Sequence, residues 1–340
     1  MPDELVLVTG GTGFIGAHCI VRLLDEGYRV RTTLRSLGRA DEVRALVRAG
    51  GADPSRLEYA QADLLHDDGW HAAVAGTTHV LHVASPFPVR QPKEENELIA
   101  PARDGALRVL RAARDTGVRR VVLTSSFAAV GYTSRPDRPF TEADWTDPDV
   151  PGVTPYAKSK TVAELAAWDF IDREGGDLEL SVVNPVGVFG PALGEDLSSS
   201  VALLLVLLQG KVPAVPKGET SGVDVRDVAD LHVRAMTHPD AAEERFLAVS
   251  GEPIGYIALA KLLREELGEE ARRVPRLALP DWVVRVGARF NSDLRAVLPE
   301  LGRSRRASSE KAQRMLGWQP RPRDEAIIAS AESLIRLGLV

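Results

Sequence analysis

A chain of 340 residues can bury a large core and carry one domain with an added lobe. Its formal net charge of -6 argues against nucleic acid as a main partner, and its single cysteine, Cys19, excludes an intrachain disulfide. The acidic opening Met-Pro-Asp-Glu-Leu lacks the basic and apolar regions of a secretory signal, and the strongest apolar run, 201–208, is too short to span a bilayer, so a cytosolic protein is expected.

Residues 5–8 form an apolar run that ends in Thr9-Gly10-Gly11-Thr12-Gly13-Phe14-Ile15-Gly16, and an amphipathic segment, 14–25, follows at once. The order is strand, tight turn, helix. Gly10 and Gly13 lack Cβ, so backbone N–H groups can approach a pyrophosphate, and the helix N-terminus turns partial positive charge toward it. Gly16 lets the helix lie close on the strand. With Thr12, Phe14 and Ile15 completing the turn, this is the context of a dinucleotide site. Cys19 falls inside the helix and reads as a small core residue.

A second strand is expected over 28–34. An acidic residue at its end would bond a ribose 2′-hydroxyl, whereas a basic one accommodates a 2′-phosphate. Here stands Arg35, with Arg39 close by and no Asp or Glu between Tyr28 and Ala40, which predicts NADP(H). Residues 41–49 read as a helix and 57–60 as a third strand, followed by Asp63-Leu64. Asp63 can accept from an adenine amino group or cap a helix starting near His66. The fourth strand, 79–83, ends in Val83-Ala84-Ser85, small enough for backbone to pass beside a cofactor. A long helix is expected over 93–116, with Pro101 as a kink or break, then a strand over 119–124 ending in Thr124-Ser125-Ser126. This alternation predicts a doubly wound parallel α/β sheet, whose ligands bind beyond the carboxyl ends of the strands.

Thr154 and Pro155 open the next helix as N-cap and first helical residue, and it should run to about 173. Tyr156 and Lys160, four apart, share a face. A sixth strand spans 178–183 and closes on Asn184-Pro185, with Val188 just beyond. Residues 1–185 are expected to form the dinucleotide-binding domain, with segments near 222–250 returning to it, and 186–340 mainly a substrate-binding lobe. In that second part an apolar helix is expected at 198–209, a helix capped by Asp227 running to 237, a strand at 246–249 and a helix at 255–267. An Arg-rich amphipathic helical face is expected over 276–306, and closing helices at 309–316 and 324–337.

Ser126, Tyr156 and Lys160 form a constellation that chemistry can use. A free Tyr hydroxyl titrates near ~10. A nearby ammonium favours the phenolate, so Lys160 is expected to lower the Tyr156 pKa and to bond a cofactor ribose. Ser126 can bond a carbonyl oxygen while Tyr156 gives it a proton as hydride arrives at carbon. His79 and His82 straddle an apolar strand, and His66 and His71 lack a third ligand at useful spacing, so no metal is expected.

At these residues the chain resembles the extended short-chain dehydrogenase/reductase family, over most of its length. Thr9 to Gly16 looks like the family's cofactor turn, and Tyr156-Ala157-Lys158-Ser159-Lys160 like its YxxxK motif. Within the family it is most similar to the dihydroflavonol reductase, cinnamoyl-CoA reductase and aldehyde reductase group, in Val83-Ala84-Ser85-Pro86-Phe87, in Asn184-Pro185-Val186-Gly187-Val188-Phe189-Gly190-Pro191, and in Asp224-Val225-Arg226-Asp227-Val228-Ala229. The resemblance implies NADP(H), a carbonyl/alcohol couple, and Ser126 rather than Ser125 as the catalytic serine. Plant flavonoid reductases of the group carry Asn where this chain has Gly131, so an aldehyde or ketone is the expected substrate rather than a flavonoid.

Three segments are expected to converge over the nicotinamide: 86–89, 127–132 and 186–189. They offer Phe87, Phe127, Tyr132, Val186 and Phe189, with Arg90 and Arg135 only at their edges, which predicts a hydrophobic or aromatic aldehyde, ketone or keto ester. Strand alternation does not settle whether Phe127 faces the site. A sugar-nucleotide epimerase or dehydratase on the same fold would want an acidic residue in place of Arg35. A redox-sensing regulator that binds NADP without turnover would have no use for Tyr156 and Lys160 together. Monomer and homodimer both remain open.

Overall fold

The apolar run at the start of the chain becomes β1 (Leu5–Thr9), buried along its whole length, and α1 (Phe14–Asp25) begins directly after the glycine turn. The structure, a computed structural model, describes residues 4–85, 94–133, 137–287, 289 and 304–340. Then follow β2 (Arg29–Leu34), α2 (Ala40–Ala49), β3 (Leu57–Gln61), α3 (Trp70–Val74), β4 (His79–His82), α4 (Asn96–Asp115), β5 (Arg120–Thr124), α5 (Pro155–Glu174) and β6 (Glu179–Pro185). The second part of the chain is more broken. It holds β7 (Gly187–Phe189), α6 (Ser199–Leu208), β8 (Val215–Pro216), β9 (Glu219–Thr220), β10 (Gly222–Asp224), α7 (Val225–Thr237), β11 (Glu244–Ala248), β12 (Ile254–Gly255), α8 (Tyr256–Leu267), β13 (Ala278–Leu279), α9 (Asp281–Gly287), α10 (Glu310–Leu316) and α11 (Arg323–Arg336).

Seven strands form one parallel sheet in the order β11-β6-β5-β4-β1-β2-β3. This is the doubly wound α/β architecture the alternation predicts. The winding reverses between β1 and β4, which opens a crevice at their carboxyl ends. One face of the sheet packs α1, α2 and α7 through Ile20, Leu23, Val43, Val47 and Leu231. The other packs α3, α4 and α5 through Trp70, Val109, Leu110 and Phe170. Each such side chain contributes about 1.5–3 kcal/mol when fully buried. A separate apolar cluster joins α6, α8 and α11 through Leu204, Leu208, Leu259, Leu263, Ile327 and Leu334. β11 lies beside β6 in the main sheet, so residues 244–248 return to it across 58 residues of intervening chain.

Several local expectations need correction. α7 starts at Val225 and is capped by Asp224, which accepts from the Arg226 N–H at 2.8 Å. Asp227 instead accepts the Arg321 N–H at 2.7 Å and pairs with the Arg321 guanidinium. Asp63 caps no helix: it accepts the Leu65 N–H at 3.0 Å in a local turn, and α3 begins only at Trp70, after Gly69. α4 runs through Pro101 unbroken. The Arg-rich stretch 276–306 is not one helix; its described parts hold β13 and the short α9, and Ala307, just past it, bridges Phe140. The short parallel pair β7–β10, with Val188 opposite Val223, went unread because three-residue strands carry no usable periodicity.

Candidate active site

A cleft of about 1200 Å³ crosses the carboxyl ends of the strands from β3 to β6. Of the candidate site residues among the described ones, all but Phe189 line it: Gly10, Thr12, Gly13, Phe14, Ile15, Gly16, Arg35, Arg39, Asp63, Leu64, Val83, Ala84, Ser85, Thr124, Ser126, Phe127, Tyr132, Tyr156, Lys160, Pro185, Val186 and Val188. Phe87, Arg90 and Arg135 lie outside the described residues.

The glycine turn is built by close backbone approach. Gly10 has φ +74°, and a Cβ on Gly16 would sit 2.2 Å from the Gly10 carbonyl oxygen. Neither position tolerates a side chain without movement. Gly13 caps α1 without offering a side chain, so no side-chain acceptor occupies the first N–H groups of that helix. Thr9 ties the turn to β4. Its hydroxyl oxygen accepts the Ala84 N–H at 3.0 Å and lies 2.8 Å from Nδ1 of buried His82. Burial pulls the His82 pKa down to about 3, so the ring is neutral. Open helix-end donors beside a space that a Cβ would fill make a cradle that fits a pyrophosphate.

At the β2 end the Arg35 side chain is exposed, and among the described residues its guanidinium has no protein partner. Arg39 differs: Glu42 holds it through two hydrogen bonds of 2.7 Å. Of the two arginines expected at a 2′-phosphate, only Arg35 is uncommitted.

At the other end, α5 carries the Tyr–Lys pair. Thr154 accepts the Ala157 N–H at 3.2 Å as N-cap and Pro155 opens the helix, which sets Tyr156 and Lys160 one turn apart over the end of β5. Ser126 follows β5 directly. Its hydroxyl oxygen accepts the Ala128 N–H at 3.1 Å, capping a short turn, and it hydrogen-bonds the Tyr156 phenol. Ser125 faces the other way and donates to buried Glu164 at 2.5 Å. The pKa expectation for Tyr156 needs correction. Burial raises it, and the Ser126 hydrogen bond opposes that only in part. Burial also lowers Lys160 to about 8, against the pull of Glu164. The phenol is therefore held in its neutral form near pH 7.

The apolar wall is thinner than the sequence predicts. Phe189 is fully buried among Leu204, Val201 and Ile254 and does not reach the cleft. Phe127 lines the cleft but is only 6% exposed, set edge-on against Phe140 and Tyr132. A Cβ on Gly131 would lie 2.4 Å from the Phe127 ring, so this ring position requires glycine there. Segments far along the chain complete the wall: Glu219, Thr220, Pro253, Tyr256 and Arg305, whose guanidinium lies 4.1 Å from the Tyr132 ring centroid. Sequence reading missed all of these, because no local motif marks them. Glu164 did leave a signal: it continues the Tyr156–Lys160 stripe at the same four-residue step. Among the described residues no cluster of His, Cys, Asp or Glu could hold a metal, and no helix is long and apolar enough to cross a membrane.

Comparison with known proteins gives the geometry a lineage. The chain is 35% identical over 285 residues to cinnamoyl-CoA reductase CAD2 of Medicago truncatula, covering 82% of this chain and 83% of that protein. It is 33% identical over 273 residues to dihydroflavonol 4-reductase of Zea mays, covering 78% and 74%. Among solved structures, yeast methylglyoxal/isovaleraldehyde reductase Gre2 complexed with NADPH superposes with a TM-score of 0.81 at 27% identity, over 99% of this chain and all of that one. The NAD dependent epimerase/dehydratase family matches residues 6–248, and the chain belongs to that family, the extended short-chain dehydrogenases/reductases, beside its dihydroflavonol and cinnamoyl-CoA reductases.

Proposed function

We propose that the protein is an NADPH-dependent reductase that converts an aldehyde or ketone with a hydrophobic or aromatic body to the alcohol, with Tyr156 as proton donor. The observation that carries this is the meeting of Ser126, Tyr156 and Lys160 in the same cleft as the glycine turn. NADPH, when bound, supplies the hydride. The turn 10–16 would hold its pyrophosphate, Arg35 its 2′-phosphate and Lys160 its ribose, with Asp63, Leu64 and residues 83–85 alongside. The solved yeast relative holds NADPH and is named for two aldehydes, which agrees with this cofactor and substrate class.

The chain's own residues then divide the work. Ser126 fixes the Tyr156 hydroxyl and leaves it facing the cleft. Burial keeps the phenol protonated until an oxygen carrying developing negative charge is presented to it. The Lys160 ammonium stabilises the phenolate left after proton transfer. Val186, Phe127 and Tyr132 offer apolar surface to the rest of the substrate, and Gly131 brings no side-chain amide to it.

The test is NADPH oxidation, followed by absorbance, across aldehydes, ketones and keto esters. Turnover with NADPH that Tyr156→Phe removes is the expected result. Tight binding of a sugar nucleotide diphosphate, or the same turnover after Tyr156→Phe, would overturn it.

A further inference from the structure

Beneath the cleft lies a buried polar network that the catalytic trio does not use directly. Glu164 is fully buried on α5, two turns beyond Tyr156 and one beyond Lys160. Both carboxylate oxygens are engaged. One accepts from Nε of Arg245 on β11 at 2.6 Å. The other accepts the Ser125 hydroxyl at 2.5 Å and the Asn184 amide at 2.8 Å. Asn184 also donates to the Ser126 carbonyl at 3.2 Å. Arg245 is only 7% exposed; it donates to the Glu142 and Asp144 carbonyls and lies 3.6 Å from the Trp145 ring centroid. Charges this deep are costly, and a strut between α5 and the sheet could be built from apolar side chains at similar or better stability. A buried carboxylate at this step of the helix has another use: it sets a fixed negative charge one helical turn from Lys160.

We propose that Glu164 is a positioning residue for the reaction, a carboxylate clamped by Arg245, Ser125 and Asn184 that keeps the Lys160 side chain an ammonium from one helical turn away. This rests on the reductase assignment above. Burial works against the ammonium, and Glu164 is the group that opposes it. The other groups around Lys160 do not substitute. From β4, His82 is neutral; from the end of β5, Ser125 and Ser126 carry no charge; on α5 the Tyr156 phenol is neutral. Just before α4, Glu95 pairs with Lys158 at 2.8 Å instead. On the far side of Glu164, Arg245 supplies its countercharge, while Glu142 and Lys311 lie beyond Arg245 and Glu142 keeps its own bond to the Leu247 N–H.

The test reads Lys160 itself. Cofactor-free protein is acetylated competitively across a pH series, and the labelling of Lys160 is followed by mass spectrometry. Glu164→Gln keeps the shape and removes the charge, and Asn184 has an unpartnered amide oxygen with which to meet the new amide after a flip. Because Glu164→Gln leaves buried Arg245 without its countercharge, Glu164→Gln/Arg245→Met removes the pair together. The labelling midpoint should fall by roughly one pH unit in whichever variant folds, and the alkaline limb of kcat/KM against pH should move down with it. A folded variant with lower thermal stability but an unmoved midpoint would make Glu164 a strut and overturn the proposal. Retained turnover in Tyr156→Phe would break the reductase assignment without touching the labelling result, so the two failures are distinguishable.

Discussion

The two ends of the cleft are built from different material. At the β1–β3 end the walls are mostly main chain: a turn at Gly10, the uncapped N-terminus of α1, and the small residues Val83, Ala84 and Ser85 that let backbone approach. At the β5–β6 end they are side chains, drawn from α5 and from segments as distant as Glu219, Tyr256 and Arg305. A backbone-built site needs specific residues at fixed local spacing. A side-chain-built wall needs only a surface, which many sequences can supply. The first end should fail through single small substitutions, and the second should change by degrees.

The sharpest break belongs to the one place at the second end where local spacing does rule. Tyr156→Phe keeps the ring and removes the hydroxyl proposed as proton donor. We expect kcat to fall about 10²–10⁴-fold while NADPH affinity, read by fluorescence titration, stays near wild type. Lys160→Ala should damage both quantities. Equal loss of affinity in Tyr156→Phe would mean that the phenol serves binding rather than proton transfer.

Acid should next separate the sheet and the helices packed on it from the cluster of α6, α8 and α11. Burial holds His18, His79 and His232 at about 4 and His82 at about 3, against an ordinary value of 6.5. All four lie in the sheet or on α1 and α7, which pack on it. A histidine with a depressed folded pKa contributes stability that is intact above about 6.5 and is lost as pH falls toward its folded value. Each should cost about 1.4 kcal/mol per pH unit across that window. The raised carboxyls of Glu142 and Asp227 act in the opposite direction and soften the fall. Hydrogen exchange should show β4 and α7 losing protection below about pH 6 while α8 and α11 keep theirs. Uniform loss would show that the regions unfold as one.

Legibility follows the same division. Each strand and helix up to β6 could be read within a few residues, because alternating apolar runs, Gly27 after α1 and the Thr154-Pro155 cap are local signals. The return of β11 beside β6 depends on packing across the chain, though its composition still marks a strand. What stayed hidden were choices between near neighbours: Asp224 over Asp227 as cap, Glu42 rather than a ligand as the partner of Arg39, and Phe189 turned into the core. Each is decided by a residue distant in sequence or by a three-dimensional direction. The phenol pKa was misjudged for a related reason, since spacing shows a neighbouring charge but not the depth at which it sits.

Cofactor choice is a smaller effect at the first end. Arg35→Asp should lose a charge-assisted phosphate contact of about 1.5–3 kcal/mol, or roughly 10- to 150-fold in the NADPH over NADH ratio of kcat/KM. Arg39→Ala should shift the ratio less, because Glu42 already holds that guanidinium. The turn itself gives a paired test. A Cβ on Gly16 would strike the Gly10 carbonyl, whereas one on Gly13 would stand 3.4 Å from it, in ordinary contact. Gly16→Ala should lower the stability of cofactor-free protein by about 1–3 kcal/mol. Gly13→Ala should melt near wild type and still weaken NADPH, since its methyl would stand at the mouth of the cradle.

The smallest effect concerns the substrate. If the second end is an apolar surface rather than a set of fixed contacts, affinity should grow with each added methylene and then stop. Val186, Phe127 and Tyr132 provide such a surface, while Glu219, Thr220 and Arg305 mark where it turns polar. A series of aldehydes matched in carbonyl reactivity but graded in alkyl length should gain up to about 0.8 kcal/mol in kcat/KM per CH₂. The gain should cease once the chain reaches the polar segment. Beyond that length an added hydroxyl or carboxylate should restore the trend, because Arg305 and Thr220 can meet an acceptor that a methyl group cannot satisfy. Arg305→Leu should abolish the recovery for the carboxylate and leave the short aldehydes unchanged. A flat series from the first member would mean that the wall does not grip the substrate, and that selectivity resides at the carbonyl alone.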